Sequence, residues 1–297
     1  MTRQEHTLGV SRFTDVGGRR LHHMERGSGD VTVVFESGMG FSRSCWGLVV
    51  PDVAAHARTV VYDRAGLGRS DADPEPRTLA RLASDLSALL DALDPGPAEP
   101  PPSGEVGQGR FVLVGHSWGG LVVRTVAAAR PERIRGIVLV DPTDENCALY
   151  FTPAAERRFS KGGAVTVALA RLGLYRLVGA LSPGRAQPAD VAADHRAEDF
   201  TVRAARGLRA EGTSGLADLR AVRDAPPPLG DLDVCVISGT KATRADRANR
   251  AALTAAHRVT AAAHPGGRFV ESPISGHMVM FSDPATVTAE ILRTAGL

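Results

Sequence analysis

Short runs of β-branched residues alternate with longer helix-like segments along most of this chain, and that alternation limits its fold more than any other feature. Most of the runs are continuously apolar over four to six residues, as in strands that are buried on both faces. We predict strands at Val31–Glu36, Thr59–Asp63, Phe111–Gly115, Ile137–Asp141, Val234–Ser238 and Arg268–Ser272, after a hairpin formed by Arg12–Val16 and Arg20–Glu25. The pattern therefore predicts an α/β fold, with a mostly parallel eight-stranded sheet and helices on both of its faces.

Helix-like segments fill most of the gaps between these strands. We predict helices at Trp46–His56, Thr78–Leu93, Trp118–Arg130, Ala245–Ala263 and Pro284–Thr294. The gap from Asp94 to Gly109 is rich in Pro and Gly and predicts a flexible surface loop. The gap 145–229 has a helix-like composition without a strand candidate. We interpret it as a helical cap inserted into a core that consists of residues 1–144 and 230–297.

Composition narrows the class of partner. A formal net charge of +2 over 297 residues gives no reason to expect binding to nucleic acid or to an anionic membrane. No uninterrupted apolar stretch approaches the roughly 20 residues of a membrane span, and the first ten residues lack the apolar segment of a secretory signal. The three widely spaced cysteines suit a reducing compartment. We therefore expect a soluble cytoplasmic protein, and the sequence does not determine its oligomeric state.

The strongest chemical signal is the pentapeptide Gly115–Gly119 (GHSWG), which directly follows a predicted strand and leads into a predicted helix. G-x-S-x-G between a strand and a helix is typical of a nucleophile elbow, in which a sharp turn lifts the serine side chain above the sheet. Glycines two residues to either side leave room for that turn. We therefore predict that Ser117 is a catalytic nucleophile, the alternative being a serine that only caps the following helix.

With this motif in place, the sequence from Val31 to Leu297 resembles the α/β-hydrolase superfamily, apart from the predicted cap. Three further segments carry the resemblance, namely ESGMG at 36–40, DRAGLGRS at 63–70 and SGHM at 275–278. The first follows a strand where the superfamily has its oxyanion loop, although Ser-Gly replaces the usual His-Gly. The resemblance implies that the amides of Met39 and Trp118 form an oxyanion hole. We interpret the second segment as structural, with Asp63 binding loop amides.

The third segment contains the histidine that the resemblance identifies as the general base, His277. A histidine suits this task because its pKa near neutrality lets it accept the serine proton and return it to the leaving group. The other eight histidines lack this position. We expect them to be surface or core residues, and we expect His116, next to the nucleophile, to point elsewhere.

The sequence leaves the acid of the triad open. The superfamily usually supplies it after the strand Val234–Ser238, but the residues that follow, 239–243, contain no carboxylate. Asp141, at the end of the preceding strand, is our first candidate, although it also has the character of a turn residue before a proline. Asp246 is the second, with a competing role as a helix cap because it follows Thr243 at T-x-x-D spacing. Asp144 and Glu145 are the remaining candidates.

The combination predicts a serine hydrolase that uses an acyl-enzyme mechanism on a small-molecule ester or lactone, without a metal or an organic cofactor. Thioester hydrolysis, acyl transfer and carbon–carbon bond hydrolysis use similar triads and stay open. Epoxide hydrolase and haloalkane dehalogenase chemistry is disfavoured, because serine cannot form the alkyl-ester intermediate of those enzymes. A protein that has this fold and only binds a ligand is the alternative from a different class.

Overall fold

The computed structural model describes residues 5–94, 109–180 and 182–297, and a single sheet organises them. Its eight strands are β1 Val10–Asp15, β2 Arg20–Arg26, β3 Thr32–Glu36, β4 Arg58–Tyr62, β5 Phe111–His116, β6 Ile134–Val140, β7 Asp233–Gly239 and β8 Gly267–Ser272. They lie in the order β1-β2-β4-β3-β5-β6-β7-β8, and the pairs β1–β2 and β2–β4 are antiparallel while the remaining pairs are parallel. The predicted fold class and all eight predicted strands are therefore confirmed.

The order of the central strands determines where a site can form. The chain passes from β3 to β4 on one side and then crosses back to β5 on the other side of β3. Loops that leave the carboxyl ends of β3 and β5 therefore diverge, and a crevice opens between them. In open α/β sheets, ligands bind in such a crevice at the point where the strand order reverses. The predicted oxyanion loop follows β3 and the predicted nucleophile follows β5.

Alternating side chains of the buried strands supply two separate cores. Along β5, Phe111 and Leu113 pack into one core, while Val112 and Val114 pack into the other. Helices α2 (Leu79–Leu93) and α3 (Trp118–Ala129) cover the first core. Helices α1 (Val50–Ala54) and α10 (Pro284–Ala295) cover the second. A strand with a helical layer on each face buries every side chain, which explains why its sequence is continuously apolar.

Four of the five predicted helices are confirmed, since α2, α3, α8 (Arg247–Ala262) and α10 lie at the predicted positions. The helices without an individual prediction are α4 Pro153–Arg171, α5 Tyr175–Ala180, α6 Ala189–Glu198, α7 Val202–Asp224 and α9 Val279–Ser282. The helix predicted at Trp46–His56 is instead a 3₁₀ turn, Arg43–Trp46, followed by α1. Pro51 explains the difference, because it has no N–H to donate and is tolerated only in the first turn of a helix. The helix therefore begins at Val50, next to the proline.

The insertion between β6 and β7 is helical in all its described regular structure, as predicted. Helices α4 and α7 pack closely, since a Cβ on Gly163 would lie only 2.8 Å from Cα of Arg209. The exact boundaries of this insertion as a cap, 145–229, remain a prediction. In the described residues, none of the helices is long and apolar enough to cross a membrane. Residues 95–108 of the predicted loop lie outside the described residues.

Candidate active site

Ser117 lies in the sharp turn between β5 and α3 and has strained backbone geometry. Its φ of 52° and ψ of −120° place a non-glycine residue at positive φ, which is costly and tends to occur at functional sites. The flanking glycines make this turn possible. A Cβ on Gly115 would lie 2.6 Å from the carbonyl oxygen of Gly119, and a Cβ on Gly119 would lie 2.6 Å from that of Glu36. The local geometry is therefore that of a nucleophile elbow.

His277 and Asp141 come together although 136 residues separate them. The distance from His277 Nδ1 to Asp141 Oδ2 is 2.7 Å, a normal length for a hydrogen bond between a histidine and a carboxylate. Asp141 directly follows β6 and is fully buried, whereas the His277 side chain, on the loop after β8, is 45% exposed. Asp141 also has a positive φ, 42°, a conformation that Asp tolerates better than most residues.

The surroundings of Asp141 keep it negatively charged. Burial by itself raises the pKa of this carboxyl, but the hydrogen bond from His277 and the charge of Arg250 outweigh burial and hold the pKa below its usual value. Two donors bind the other oxygen, Oδ1: the Gly239 amide at 3.0 Å and Arg250 Nη1 at 2.6 Å. Arg250 also donates to the Gly239 carbonyl at 2.9 Å. The carboxylate is thus held from both sides, with one oxygen left for His277.

The competing acids are committed to other contacts. Asp246 and Thr243 form reciprocal bonds before α8: the Thr243 amide and hydroxyl each donate to Asp246 Oδ1 at 2.6 Å, and the Asp246 amide donates to Thr243 Oγ1 at 3.3 Å. This is the arrangement of a capping box. Asp144 Oδ2 accepts from the Thr260 hydroxyl at 2.6 Å. Glu145 forms a two-bond ion pair with Arg124 at 2.6 and 2.7 Å. Of the four candidate acids, Asp141 is thus the one that hydrogen-bonds to His277, and the other three are engaged by different partners.

The predicted oxyanion donors lie on either side of this crevice. Met39 belongs to the loop after β3, and Trp118 is the first residue of α3, where free amides and the helix dipole favour negative charge. In the described part of the chain, neither amide donates a hydrogen bond to another protein group. The loop runs close to the nucleophile, since a Cβ on Gly38 would lie 3.3 Å from that of Ser117.

A cavity of about 470 Å³ joins these elements. Ser117, His277 and both predicted oxyanion residues line it, together with residues of the helical insertion. The contributions of the insertion are Tyr150, Arg158, Phe159, Gly162, Gly163, Thr166, Leu208 and Gly212. The volume is in the range of small-molecule sites. A neighbouring cavity of about 340 Å³ shares Tyr150, Arg158, Arg250 and Leu253 with it.

His116 differs from the expectation that it points away from the site. Its ring packs against that of His277, with centroids 4.7 Å apart, and its Nε2 donates to the His277 carbonyl at 3.1 Å. Burial, and to a smaller extent the nearby His277, lower the pKa of His116 to about 3, so the ring is neutral at physiological pH. The residue therefore supports the loop that bears His277. No sequence signal indicates this role, because the contact spans 161 residues.

Sequence reasoning also missed two arginines of the site, Arg250 and Arg64. Arg250 lies on α8 within an Ala-rich segment, where an arginine is expected to face solvent. In the structure α8 packs beside Asp141, and Arg250 donates to its carboxylate. Arg64 follows β4 inside the turn that we interpreted as structural. The expected role of its neighbour is confirmed, since Asp63 accepts from the loop amides of Arg43 at 2.9 Å and Arg69 at 3.1 Å.

Comparison with known proteins agrees with this architecture. A family model described as the alpha/beta hydrolase family matches residues 33–291. The protein YqjL of Bacillus subtilis, described as uncharacterised, is 32% identical over 136 residues, which are 46% of this chain and 49% of that protein. A haloalkane dehalogenase of Sphingobium indicum is 31% identical over 138 residues, 45% of this chain and 42% of that protein. The aligned region thus spans less than half the length of each of these curated relatives.

Solved structures resemble the whole described fold. A hydrolase from Pseudomonas aeruginosa PA01 has a TM-score of 0.70 and 24% identity, over 97% of this chain and 98% of that one. An esterase from Thermogutta terrifontis has a TM-score of 0.71 and 20% identity over the same shares. An enol-lactonase from Burkholderia xenovorans LB400 has a TM-score of 0.67 and 22% identity, over 96% of this chain and 100% of that one. At these identities the similarity shows the fold alone.

Proposed function

Because the chain belongs to the alpha/beta hydrolase family, we propose that it is a serine hydrolase that cleaves a small-molecule ester or lactone through an acyl-enzyme. One observation carries the proposal. A serine in strained elbow geometry lines the same cavity as a histidine whose other ring nitrogen binds a buried carboxylate. Nucleophile, base and orienting acid are the three parts that activate a hydroxyl at neutral pH.

The proposed reaction has two steps. The Ser117 hydroxyl attacks the carbonyl carbon while its proton passes to Nε2 of His277, and the oxyanion of the tetrahedral intermediate is bound by the Met39 and Trp118 amides. Collapse of the intermediate breaks the ester bond, and His277 returns the proton to the leaving alkoxide. A water molecule, deprotonated by the same histidine, then releases the acid from Ser117. Asp141 stabilises the imidazolium that forms in each step.

The serine at the elbow favours acyl transfer over halide displacement, the reaction for which the dehalogenase relative is named. Displacement of a halide by a carboxylate forms an ester, which water can open at its carbonyl. The same displacement by Ser117 would form an ether, which has no carbonyl for water to attack. When a serine attacks an acyl carbon it forms an ester, which water can hydrolyse to regenerate the free enzyme.

Residues of the insertion form a large part of the cavity wall, so we propose that the insertion selects the acyl group. Phe159 and Leu208 present apolar surface, and Gly162 and Gly212 leave space beside them. A pocket of this size and composition suits a short or medium acyl chain, or a small ring.

Covalent labelling with a fluorophosphonate tests the proposal directly. We expect a stoichiometric adduct that peptide mass spectrometry locates at Ser117, and no adduct in the Ser117→Ala variant at matched protein concentration. A panel of p-nitrophenyl esters of increasing chain length, beside simple lactones, then reports the bond and the size of the acyl pocket. A folded protein that neither forms the adduct nor hydrolyses any member of the panel would be a ligand-binding protein and not this enzyme.

A further inference from the structure

A buried arginine of the core, Arg64, holds the loop that follows β3. Arg64 is 2% exposed and donates from Nη1 to the carbonyl of Ser37 at 2.6 Å and from Nη2 to the carbonyl of Gly38 at 2.7 Å. Its other contacts are ion pairs with two buried glutamates, Glu36 of β3 and Glu211 of α7. The guanidinium thus binds two consecutive carbonyls of one loop with a fixed planar fork.

The contact with the Gly38 carbonyl, which also accepts from the Phe41 amide at 3.2 Å, restricts where the next amide points. In a trans peptide the C=O and the N–H of one plane point in opposite directions. The carbonyl of Gly38 shares its peptide plane with the amide of Met39. Because Arg64 draws that carbonyl to itself, the Met39 N–H is directed away from Arg64. Within the described residues this amide has no protein acceptor, and its loop passes close to Ser117.

Glu211 makes this arrangement dependent on the helical insertion. Its Oε1 accepts from Arg64 Nε at 2.7 Å, and its Oε2 accepts from Arg64 Nη2 at 2.9 Å and from the amide of Gly40 at 3.0 Å. One carboxylate therefore orients the guanidinium and also fixes the far end of the loop. Burial lowers the pKa of Arg64, but Glu211 and Glu36 outweigh burial and raise it above its usual value, so Arg64 keeps its positive charge.

We propose that Arg64 and Glu211 are positioning residues for the oxyanion hole, so that helix α7 of the insertion contributes to transition-state stabilisation as well as to substrate selection. The inference rests on the proposed serine hydrolase function. It predicts a loss in the chemical step, because an oxyanion donor stabilises the transition state more than the bound ester. Substrate binding in the ground state, which depends on the cavity walls, changes little.

A matched pair of variants separates positioning from simple stabilisation. Glu211→Gln removes the charge that orients Arg64. Glu198→Gln makes the same change at α6, where Glu198 accepts from another buried arginine of the core, Arg43, at 2.6 Å. The described contacts of the Arg43 side chain are with carboxylates and a methionine sulfur, and none is with a carbonyl of the loop after β3. Both variants should lose thermal stability, and only the first should disturb the loop.

The measurements are kcat and KM for a p-nitrophenyl ester and the Ki of an alkyl boronic acid, which forms a tetrahedral adduct with a catalytic serine. For Glu211→Gln we expect kcat to fall and Ki to rise together by about 10- to 100-fold, below the loss for deleting a donor outright. KM should change less than about threefold. For Glu198→Gln we expect kcat and Ki to stay within about threefold of the wild type. Equal effects of the two variants on kcat and Ki would overturn the proposal.

Two further results keep the test decisive. If Glu211→Gln does not fold, Glu211→Asp retains the charge on a side chain too short to reach both Arg64 and Gly40, and the same parallel loss in kcat and boronate affinity is expected of it. Unchanged values in a folded Glu211→Asp variant would also overturn the proposal. If fluorophosphonate does not label the wild-type protein at Ser117, the proposed function itself is refuted. If the wild-type protein is labelled but the Glu211→Gln and Glu198→Gln variants have the same kcat and Ki, only the positioning role is refuted.

Discussion

Replacement of Asp141 by Asn is the sharpest test of the proposed mechanism, because the contacts of Asp141 determine which way the new amide must face. Oδ1 accepts hydrogen bonds from the Gly239 amide and from Arg250. The NH₂ group of an asparagine cannot accept a hydrogen bond, so it cannot take the Oδ1 position. The carbonyl oxygen of the introduced asparagine should therefore take the Oδ1 position, and its NH₂ should face Nδ1 of His277. Asparagine also tolerates the positive φ of 42° at this position, so the backbone has no reason to move.

The expected loss follows from the tautomer that this amide selects. An NH₂ that donates to Nδ1 places the ring proton on Nε2, and a protonated Nε2 cannot accept the proton of Ser117. In serine triads an Asp-to-Asn exchange that leaves the geometry intact but selects the wrong tautomer lowers kcat by about 10⁴-fold. At about 1.36 kcal/mol for each factor of ten, that corresponds to roughly 5.4 kcal/mol of transition-state stabilisation. We expect a loss of this size with KM largely unchanged.

The assay is hydrolysis of a p-nitrophenyl ester at pH 7, with circular dichroism and thermal unfolding to show that the variant is folded. Asp246→Asn is the matched control, since it removes one carboxylate from a capping box and not from His277. That variant should lose a little thermal stability, because a helix cap is weakened, and keep its kcat within a few-fold of the wild type. A folded Asp141→Asn enzyme within tenfold of wild-type kcat would refute the assignment of the acid, and a large loss in Asp246→Asn would transfer the role.

Three other outcomes follow from the same contacts. Ser117→Ala and His277→Ala should each lower kcat by at least about 10³-fold, and the double variant should be little worse than either, because the residues act as a unit; additive losses in steady-state kinetics would contradict this. Gly212→Ala should raise the melting temperature, since alanine favours a helix by about 1 kcal/mol and its Cβ would meet only Met39 Sδ at 3.8 Å and the Phe159 carbonyl at 3.9 Å. The added methyl should also lower kcat/KM for the longest esters more than for acetate, and an unchanged ratio would remove Gly212 from the acyl pocket. Burial lowers the pKa of His116 to about 3, and an unfolded histidine binds its proton near pH 6.5, so stability should be lost as the pH falls from about 6.5 towards 3. Each pH unit within that window should cost up to about 1.4 kcal/mol, and urea unfolding of His116→Asn at pH 7 and pH 5 should show a smaller pH dependence than that of the wild type.

Much of the fold could be predicted because its signals are local. A strand covered on both faces must be apolar at every position, and this pattern is visible without knowledge of any partner strand. The elbow is local too, since Gly115, Ser117 and Gly119 lie within five residues and the turn itself demands the glycines. His277 became the candidate base for a related reason, since the loop between a strand and the last helix, where the family resemblance places a histidine, can be recognised in the sequence.

Contacts between distant segments could not be predicted in the same way. Asp141 and Asp246 were both reasonable candidates for the acid, and which of them meets His277 depended on how β6, β8 and α8 pack. The Trp46–His56 helix was predicted too long because its apolar spacing outweighed a local signal, Pro51, that was present in the sequence.

The arginines of the site show the limit most clearly. Arg64 and Arg250 resemble the many other arginines of this chain, and nothing in their sequence neighbourhood distinguishes a surface residue from a buried clamp. Arg64 meets Glu211, its partner in the proposed positioning role, only because α7 packs beside it, across 147 residues of sequence. Local patterns were enough to identify the strands and most helices, their order along the chain, and two residues of the candidate site, Ser117 and His277. The packing of distant segments decided which charged side chains form pairs. Such a pair depends on how close two segments lie in space, and neither segment carries a periodic sequence pattern that reveals it.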